Sequence, residues 1–268
     1  MYAAVGEIVD ADCEIVQYPV DTRGKCPKRL CVPRGQDDIT TFVKTARQYE
    51  YDLSASVYTR AARGGSFVEV GANIGTDTVM ASDFFKSCYV FEPAARHMEL
   101  LRKNIELNGI TNVQTFCAAV SNQCGPGRLY SGEKNKSGSA SLRQNNPDMQ
   151  ASEEVQTVTL DTALPGVMDV TYIHIDAEGH DVKVLQGAYE FIKRQLARPY
   201  IKMEFQPQTM SLHGSHVSEL IEFMEEFKYR GWFNASNFVV PLSPGILIDM
   251  YYLWKKTPGW IDIYLGPE

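Results

Sequence analysis

The sequence predicts an α/β fold: a doubly wound, mostly parallel sheet with antiparallel C-terminal strands and an N-terminal extension. Three observations predict it. From residue 66 onward, short apolar runs alternate with stretches whose apolar residues recur at helical spacing. A glycine turn follows directly on the first of these runs, in Ser66-Phe67-Val68-Glu69-Val70-Gly71-Ala72-Asn73-Ile74-Gly75. The tail carries Phe238-Val239-Val240, Tyr251-Tyr252-Leu253-Trp254 and Trp260-Ile261-Asp262-Ile263-Tyr264-Leu265, which read as antiparallel finishing strands.

Residues 1–36 are rich in Pro, Gly and charge and read as an extension or edge element laid over the domain, with brief alternation at Glu14-Ile15-Val16-Gln17-Tyr18. Asp37-Asp38 suits a helix N-cap, and Ile39, Phe42, Val43, Ala46 and Tyr49 follow at helical spacing to about residue 50. That helix either covers one side of a ligand cleft or only packs on the core. The division expected is therefore 1–63, extension and covering helix, and 64–268, the main domain. Strand 66–70 leads through the glycine turn to a helix near 75–85, and Cys88-Tyr89-Val90-Phe91 is a second strand. The next helix buries Ala94, Met98, Leu101 and Ile105 and closes at Asn108-Gly109, before a third strand at Val113 to Ala118. Segment 121–152, loaded with Gly, Ser, Asn and Gln, reads as a long polar loop that either covers the site or is a solvated excursion. Val155 to Leu160 alternates as a strand beside or at the edge of the main sheet. Thr171 to Asp176 is a fourth sheet strand, a helix spans about 181–194, and Tyr200 to Phe205 is the fifth strand. Val217, Leu220, Ile221, Met224 and Phe227 make an apolar helical stripe.

Composition excludes several function classes. A net charge of -7 shows no basic excess for phosphate contacts, so a nucleic-acid partner is not expected. No basic-then-apolar leader opens the sequence and no apolar run is long enough to span a bilayer, which predicts a soluble, cytoplasmic chain without a membrane partner. Cys88 and Cys117 sit in apolar runs, where buried free thiols are usual. Cys26 and Cys31 are close enough for a local disulfide or half a metal site, but no second close pair accompanies them, which argues against zinc.

Ligands of open α/β sheets bind at the carboxyl ends of the parallel strands. Here Glu69, Glu92, Asp176 with Glu178, and Glu204 stand at or near four such ends. An acidic crevice disfavours a phosphate-rich ligand and favours one carrying hydroxyls and positive charge. A dinucleotide fingerprint would place glycines at 71, 73 and 76, whereas the chain has Asn73 and Thr76. Glu92 lies about twenty residues past Gly71, where a carboxylate can accept both ribose hydroxyls. Together these favour S-adenosylmethionine (SAM), a cationic sulfonium without a pyrophosphate.

With Val90-Phe91-Glu92-Pro93, Asn104-Ile105-Glu106-Leu107-Asn108, Val158-Thr159-Leu160-Asp161 and Ile175-Asp176-Ala177-Glu178-Gly179, the glycine-turn segment resembles the FkbM family of SAM-dependent methyltransferases over about residues 64–206. The resemblance implies a Rossmann-like fold, SAM as cofactor, and O-methylation of a small-molecule or glycan hydroxyl. It implies that Glu69, Gly71 and Asn73 line the methionine end of the cofactor, that Gly75 supports the turn, that Glu92 takes the ribose, and that Ala119 and Val120 border the adenine. The long Cys- and Pro-rich start departs from the family pattern.

A hydroxyl acceptor needs a general base within hydrogen-bond reach. Asp176, which also borders the cofactor, is the first candidate, with Glu178 and His180 beside it on the same turn; helix capping and loop shaping are the competing roles. Asp176, Glu178 and Glu204 together form a minority option for a divalent cation, and no metal is otherwise expected. His213 and His216 read as exposed loop histidines, and neither His97 nor His174 is expected to act. The competing functions are an NAD(P)-dependent oxidoreductase, against which Asn73 argues, and a non-catalytic SAM- or partner-binding module.

Overall fold

All five residues of Ser66–Val70 are buried, so this strand is covered on both faces and belongs at the centre of a sheet. The computed structural model describes residues 13–17, 28–34, 38–45, 57–132, 140–144, 148–235 and 238–268. The N-terminal part consists of β1 (Cys13–Gln17), β2 (Arg29–Pro33), α1 (Asp38–Thr45) and α2 (57–62). The central βα units are β3 (Ser66–Val70), α3 (Thr76–Ala81), β4 (Cys88–Phe91), α4 (Ala95–Leu107) and β5 (Val113–Phe116). Next come β6 (Ala119–Val120), β7 (Gly125–Ser131), β8 (Gln150–Val158) and α5 (Leu160–Ala163), then β9 (Val170–Ile175), α6 (Asp181–Gln186), α7 (Tyr189–Lys193) and β10 (Tyr200–Phe205). The chain finishes with α8 (Pro207–Leu212), α9 (Val217–Phe227), β11 (Tyr229–Ala235), β12 (Phe238–Leu242), α10 (Pro244–Trp254) and β13 (Ile261–Pro267).

Eight strands form the main sheet in the order β12-β11-β13-β10-β9-β3-β4-β5. The run from β10 to β5 is parallel, and β13, β11 and β12 are added antiparallel, as the sequence predicts for the tail. Strand order reverses between β3 and β9, which opens the crevice where ligands bind in such sheets. One face buries Val68, Val70, Ile173, Ile175, Ile201 and Met203 under the later helices. The opposite face carries Phe67, Val90 and Tyr172, packed with Leu30, Val32, Val43 and Tyr58 from the N-terminal part. Side chains alternate across a strand, so Glu69 shares this second face with Phe67, and His174 shares it with Tyr172.

The N-terminal hairpin is fastened by side chains of α4. Asn104, fully buried, donates to the carbonyls of Ile74 (2.8 Å) and Cys31 (3.2 Å) and accepts from the Cys31 N–H (2.6 Å). Asn108, one helical turn later, accepts from the Arg29 N–H and donates to the Arg29 carbonyl. The two asparagines therefore act as a strand edge for β2 and hold the glycine turn to it.

Several sequence expectations are corrected. Cys31 is bonded to Cys13 across the β1–β2 pair, not to Cys26, which lies outside the described residues. Cys88 is buried as expected, but Cys117 is exposed, because β5 ends one residue before it. Segment 121–152 is not a plain loop: its ends form β7 and the start of β8, antiparallel partners rich in polar residues because neither is fully covered. Residues 155–158 form a strand as expected and, of the two places expected, lie beside the main sheet rather than at its edge, in this separate three-stranded sheet, β6-β8-β7. The helix expected over 181–194 is two, α6 and α7, with the break at Gly187, where a Cβ would lie 1.9 Å from the Ser121 carbonyl oxygen. Tyr251 to Trp254 lie in α10, which the Ser243 hydroxyl and Pro244 initiate. Positions 46–50 and 137–139 lie outside the described residues. Among the described residues, no helix is long and apolar enough to cross a membrane.

Replacing Asn104 with leucine, of similar volume, strands buried backbone groups of Cys31 and Ile74. Urea unfolding should show a loss of about 2–4 kcal/mol, the cost of unpaired buried polar groups; a loss below 0.5 kcal/mol, within the scatter of surface substitutions, would remove the clamp assignment.

Candidate active site

A cavity of about 350 Å³ opens at the C-terminal ends of β3, β4, β9 and β10. Its shape begins with Gly71. The backbone there has φ +85°, and a Cβ would lie 1.8 Å from the Asp176 carbonyl oxygen, so only glycine lets β3 and β9 approach this closely. The Gly71 and Ala72 N–H groups both donate to the Phe91 carbonyl, which turns the chain away from the sheet. Asn73 is left-handed at φ +51°, a conformation asparagine tolerates better than most residues. Gly75, at φ +86°, starts α3, and a Cβ there would strike Leu101. It supports the turn from behind and does not line the cavity.

Glu92 joins the second strand end to this turn. Its carboxylate accepts from the Asn73 N–H and the Ala94 N–H, both at 2.8 Å, with His97 Nδ1 3.5 Å away. The Asn73 side-chain oxygen is buried without a partner. An acceptor left in this state at the mouth of a glycine turn suits a donor on a ligand, as the amino group of SAM provides.

The cavity gathers Glu69, Asp77, Glu92, Asp176, Glu178, Glu204 and Asp262, against Lys202 as the one Lys or Arg among its lining residues. Lys202 is already paired with Asp262 at 3.1 Å. Burial alone would lower its pKa, but Asp262 and Asp77 outweigh that and hold it raised and charged. This arrangement offers nothing to a pyrophosphate and accommodates a cationic, hydroxylated cofactor. Ala119 and Val120, both buried on β6, supply an apolar wall, so the residues present fit SAM.

Crowded acids hold their protons more tightly. Burial, then Asp77, pushes the Glu69 carboxyl well above its ordinary value, against a hydrogen bond from Thr78. Asp176 opens onto the cavity while protein surrounds it elsewhere; burial raises it to about 6, with Lys202 opposing and Asp262, Asp77 and Glu92 adding. Burial and Asp176 raise Glu204 to about 7, while Gln206 donates to it at 2.5 Å.

His180 lines the cavity within a four-membered chain. Ser121 Oγ lies 2.9 Å from His180 Nε2, His180 Nδ1 lies 2.8 Å from His213 Nδ1, and His213 Nε2 lies 3.0 Å from Ser141 Oγ. Both imidazole nitrogens of His180 are thus engaged. His213 is buried rather than exposed on a loop, which corrects the sequence expectation, and His216 caps α9 through the Ser218 N–H. Burial lowers His180 to about 4 and His213 to about 3, so the pair is neutral near pH 7.

All the expected site residues except Gly75 line the cavity: Glu69, Gly71, Asn73, Glu92, Ala119, Val120, Asp176, Glu178 and His180. Asp77, His97, His174, Lys202, Trp260 and Asp262 were missed or set aside. His174 and Lys202 sit mid-strand, where sequence reads only alternation. Strand register brings them together, pairing Glu69 with His174 and His174 with Lys202.

The family model for the methyltransferase FkbM domain matches residues 69–230, more than half of the chain. No curated protein matches. Similar solved structures include precorrin-6y C5,15-methyltransferase from Geobacter metallireducens, 12% identical, with 83% of this chain and 89% of that one covered at a TM-score of 0.44. An rRNA methylase from Streptococcus thermophilus is 10% identical over 82% of this chain and 95% of its own, at 0.45. An O-methyltransferase from Bacillus cereus, in complex with SAH, is 11% identical over 82% and 80%, at 0.44.

Two outcomes are expected. Glu92→Ala removes charge-assisted acceptors and loosens the turn, and should weaken SAM binding in calorimetry at least tenfold, about 1.4 kcal/mol. His213 contributes stability above its unfolded pKa of roughly 6.5 that is lost as pH falls through about 3. The melting-temperature deficit of His213→Gln at pH 7 should therefore shrink steadily on acidification; a constant deficit would count against the buried neutral pair.

Proposed function

We propose that this chain, which belongs to the FkbM family of SAM-dependent methyltransferases, methylates a hydroxyl oxygen of a sugar or small metabolite. The observation that carries this reading is the acidic crevice at four strand ends, in which Asp176 and Glu204 hold pKa values of about 6 and about 7. When bound, SAM supplies an electrophilic methyl group on a cationic sulfonium.

The chain's own residues bind, orient and take a proton. Glu69, Gly71 and Asn73 form the methionine end of the cofactor site, Glu92 faces the ribose, and Ala119 and Val120 border the adenine. The Asn73 N–H holds Glu92 in place, so the two parts of the cofactor site are set by one contact. A neutral hydroxyl is a poor nucleophile, and an alcohol gains reactivity as its proton leaves. Asp176, open to the cavity and poised near neutrality, accepts that proton on a carboxylate oxygen. The Asp176 carboxylate in turn disfavours ionisation of Glu204 beside it. His180, with both ring nitrogens engaged, orients the turn that carries Asp176 and Glu178. Trp260, 64% exposed yet lining the cavity, offers a flat ring face to a sugar or other cyclic acceptor at the entrance.

The test is methyl transfer from labelled SAM to a panel of hydroxylated sugars and metabolites, with the product methyl located by NMR. A methyl on oxygen supports the reading; exclusive transfer to nitrogen or carbon overturns it. Asp176→Asn should lower kcat about 10²–10⁴-fold, the usual worth of a general base. In the wild type, kcat/KM should rise with pH through about 6, as the carboxylate forms, and this limb should vanish in the variant. Full turnover by Asp176→Asn would remove the general-base assignment.

A further inference from the structure

At the floor of the cavity, on the face of the sheet covered by the N-terminal part, three side chains converge that the methyl-transfer reading does not use together. Glu69 comes from β3, His174 from β9 and Asp77 from the first turn of α3. One ligand atom of each lies within 4.8 Å of the others. It is the one group of this kind among the described residues. We propose that Glu69, Asp77 and His174 hold a first-row divalent cation, such as manganese(II) or zinc(II), at the base of the cavity.

Four observations carry this. His174 is 7% exposed, and its Nδ1 is buried without a hydrogen-bond partner, 3.9 Å from Glu69 Oε1. A buried imidazole nitrogen with no partner beside a carboxylate is a vacant ligand position rather than a packed core histidine. Both acids are oriented from behind, as metal ligands are: the Thr78 hydroxyl donates to Glu69 Oε2, and the Tyr58 hydroxyl donates to Asp77 Oδ1 at 2.8 Å.

Charge also favours a cation. Lys202 is matched by Asp262. The acids that line the cavity outnumber its single ammonium, and a divalent ion offsets part of that excess. Finally, the size is right. Ligand atoms about 2.1 Å from a common ion stand about 3–3.5 Å apart at tetrahedral or octahedral angles, so each ligand needs to move by about an ångström or less. All three residues line the cavity, so the remaining coordination positions face its interior. One nitrogen and two carboxylate oxygens suit manganese or zinc better than copper or an iron–sulfur cluster.

The experiment uses the full chain, stripped with a chelator and titrated with MnCl2, with free Mn(II) read by EPR and binding by calorimetry. The expected result is one Mn(II) per chain at micromolar concentration, with electron spin echo modulation from a single imidazole nitrogen. Asp77→Asn, which keeps the side-chain shape, and His174→Gln should each weaken binding at least tenfold. Circular dichroism and SAM calorimetry on the same samples separate lost metal from lost fold or lost cofactor binding. No Mn(II) bound at 1 mM, on the order of a Kd weaker than -4.1 kcal/mol, overturns the proposal. So does a wild-type echo spectrum without imidazole nitrogen, a result that does not depend on either variant folding.

Discussion

Two hydrogen bonds to one carboxylate set the geometry on which the rest of the site depends. Glu92 accepts from the N–H of Asn73 on the glycine turn and from the N–H of Ala94 at the head of α4. A backbone N–H at φ +51° has no secondary-structure partner, and a buried donor left unpaired costs about 1–3 kcal/mol. The acid at the end of β4 therefore stabilises the unusual turn after β3. The turn in turn leaves the Asn73 side-chain oxygen buried without a partner. A residue type expected for its contact with ribose is also a structural brace, and the two roles reinforce each other because both use its carboxyl oxygens as acceptors.

The acids that remain face a problem of self-repulsion. Seven carboxyl side chains line one cavity with a single ammonium, and burial adds to the repulsion. The structure answers it unevenly. Glu92 has two backbone donors, and Asp77 is held below its ordinary pKa, against burial, by His174, Lys202 and the Tyr58 hydroxyl. Glu69, Asp176 and Glu204 have fewer compensating contacts and rise. Asp176 and Glu204, raised to about 6 and about 7, can exchange a proton near neutrality, while Asp77, held down, keeps its charge. Differences in local pairing, rather than in residue type, thus divide the same chemistry into structural and reactive groups.

Most of what was legible in the sequence came from residues whose type and position carry one meaning. Gly71, Asn73, Glu92 and Asp176 follow strand ends, where the α/β rule alone predicts a ligand-facing position. The parallel strands were legible because burial on both faces leaves near-continuous apolar runs. What was not legible depends on register. His174 and Lys202 occupy ordinary inward positions of β9 and β10, and only the alignment of three strands brings them beside Glu69. Tyr251 to Trp254 read as strand because aromatic residues favour it, yet the Ser243–Pro244 cap, seven to eight residues before Tyr251 and thus outside the run itself, commits them to a helix. β7 and the first half of β8 read as loop because a partly covered antiparallel pair is largely polar, whereas residues 155–158 of β8 read as strand from their alternation.

The family motifs acquire different physical meanings once placed. Thr159 caps α5 by accepting from the Thr162 N–H, and Asp161 accepts from the Phe191 N–H, so the Val158-to-Asp161 motif docks the small sheet onto the helices behind β9. The Asn104-to-Asn108 motif instead fastens β2 to α4 and reaches the Ile74 carbonyl in the glycine turn. The Cys13–Cys31 bond ties β1 to that same strand. Disulfide, strand, asparagine and glycine turn therefore form one continuous chain of contacts from the N-terminal hairpin to the cavity. A hairpin held this way cannot shift without disturbing the turn that shapes the cofactor site. The N-terminal part, which departs most from the family pattern in sequence, is by this route a supporting wall of the chemistry that the family shares.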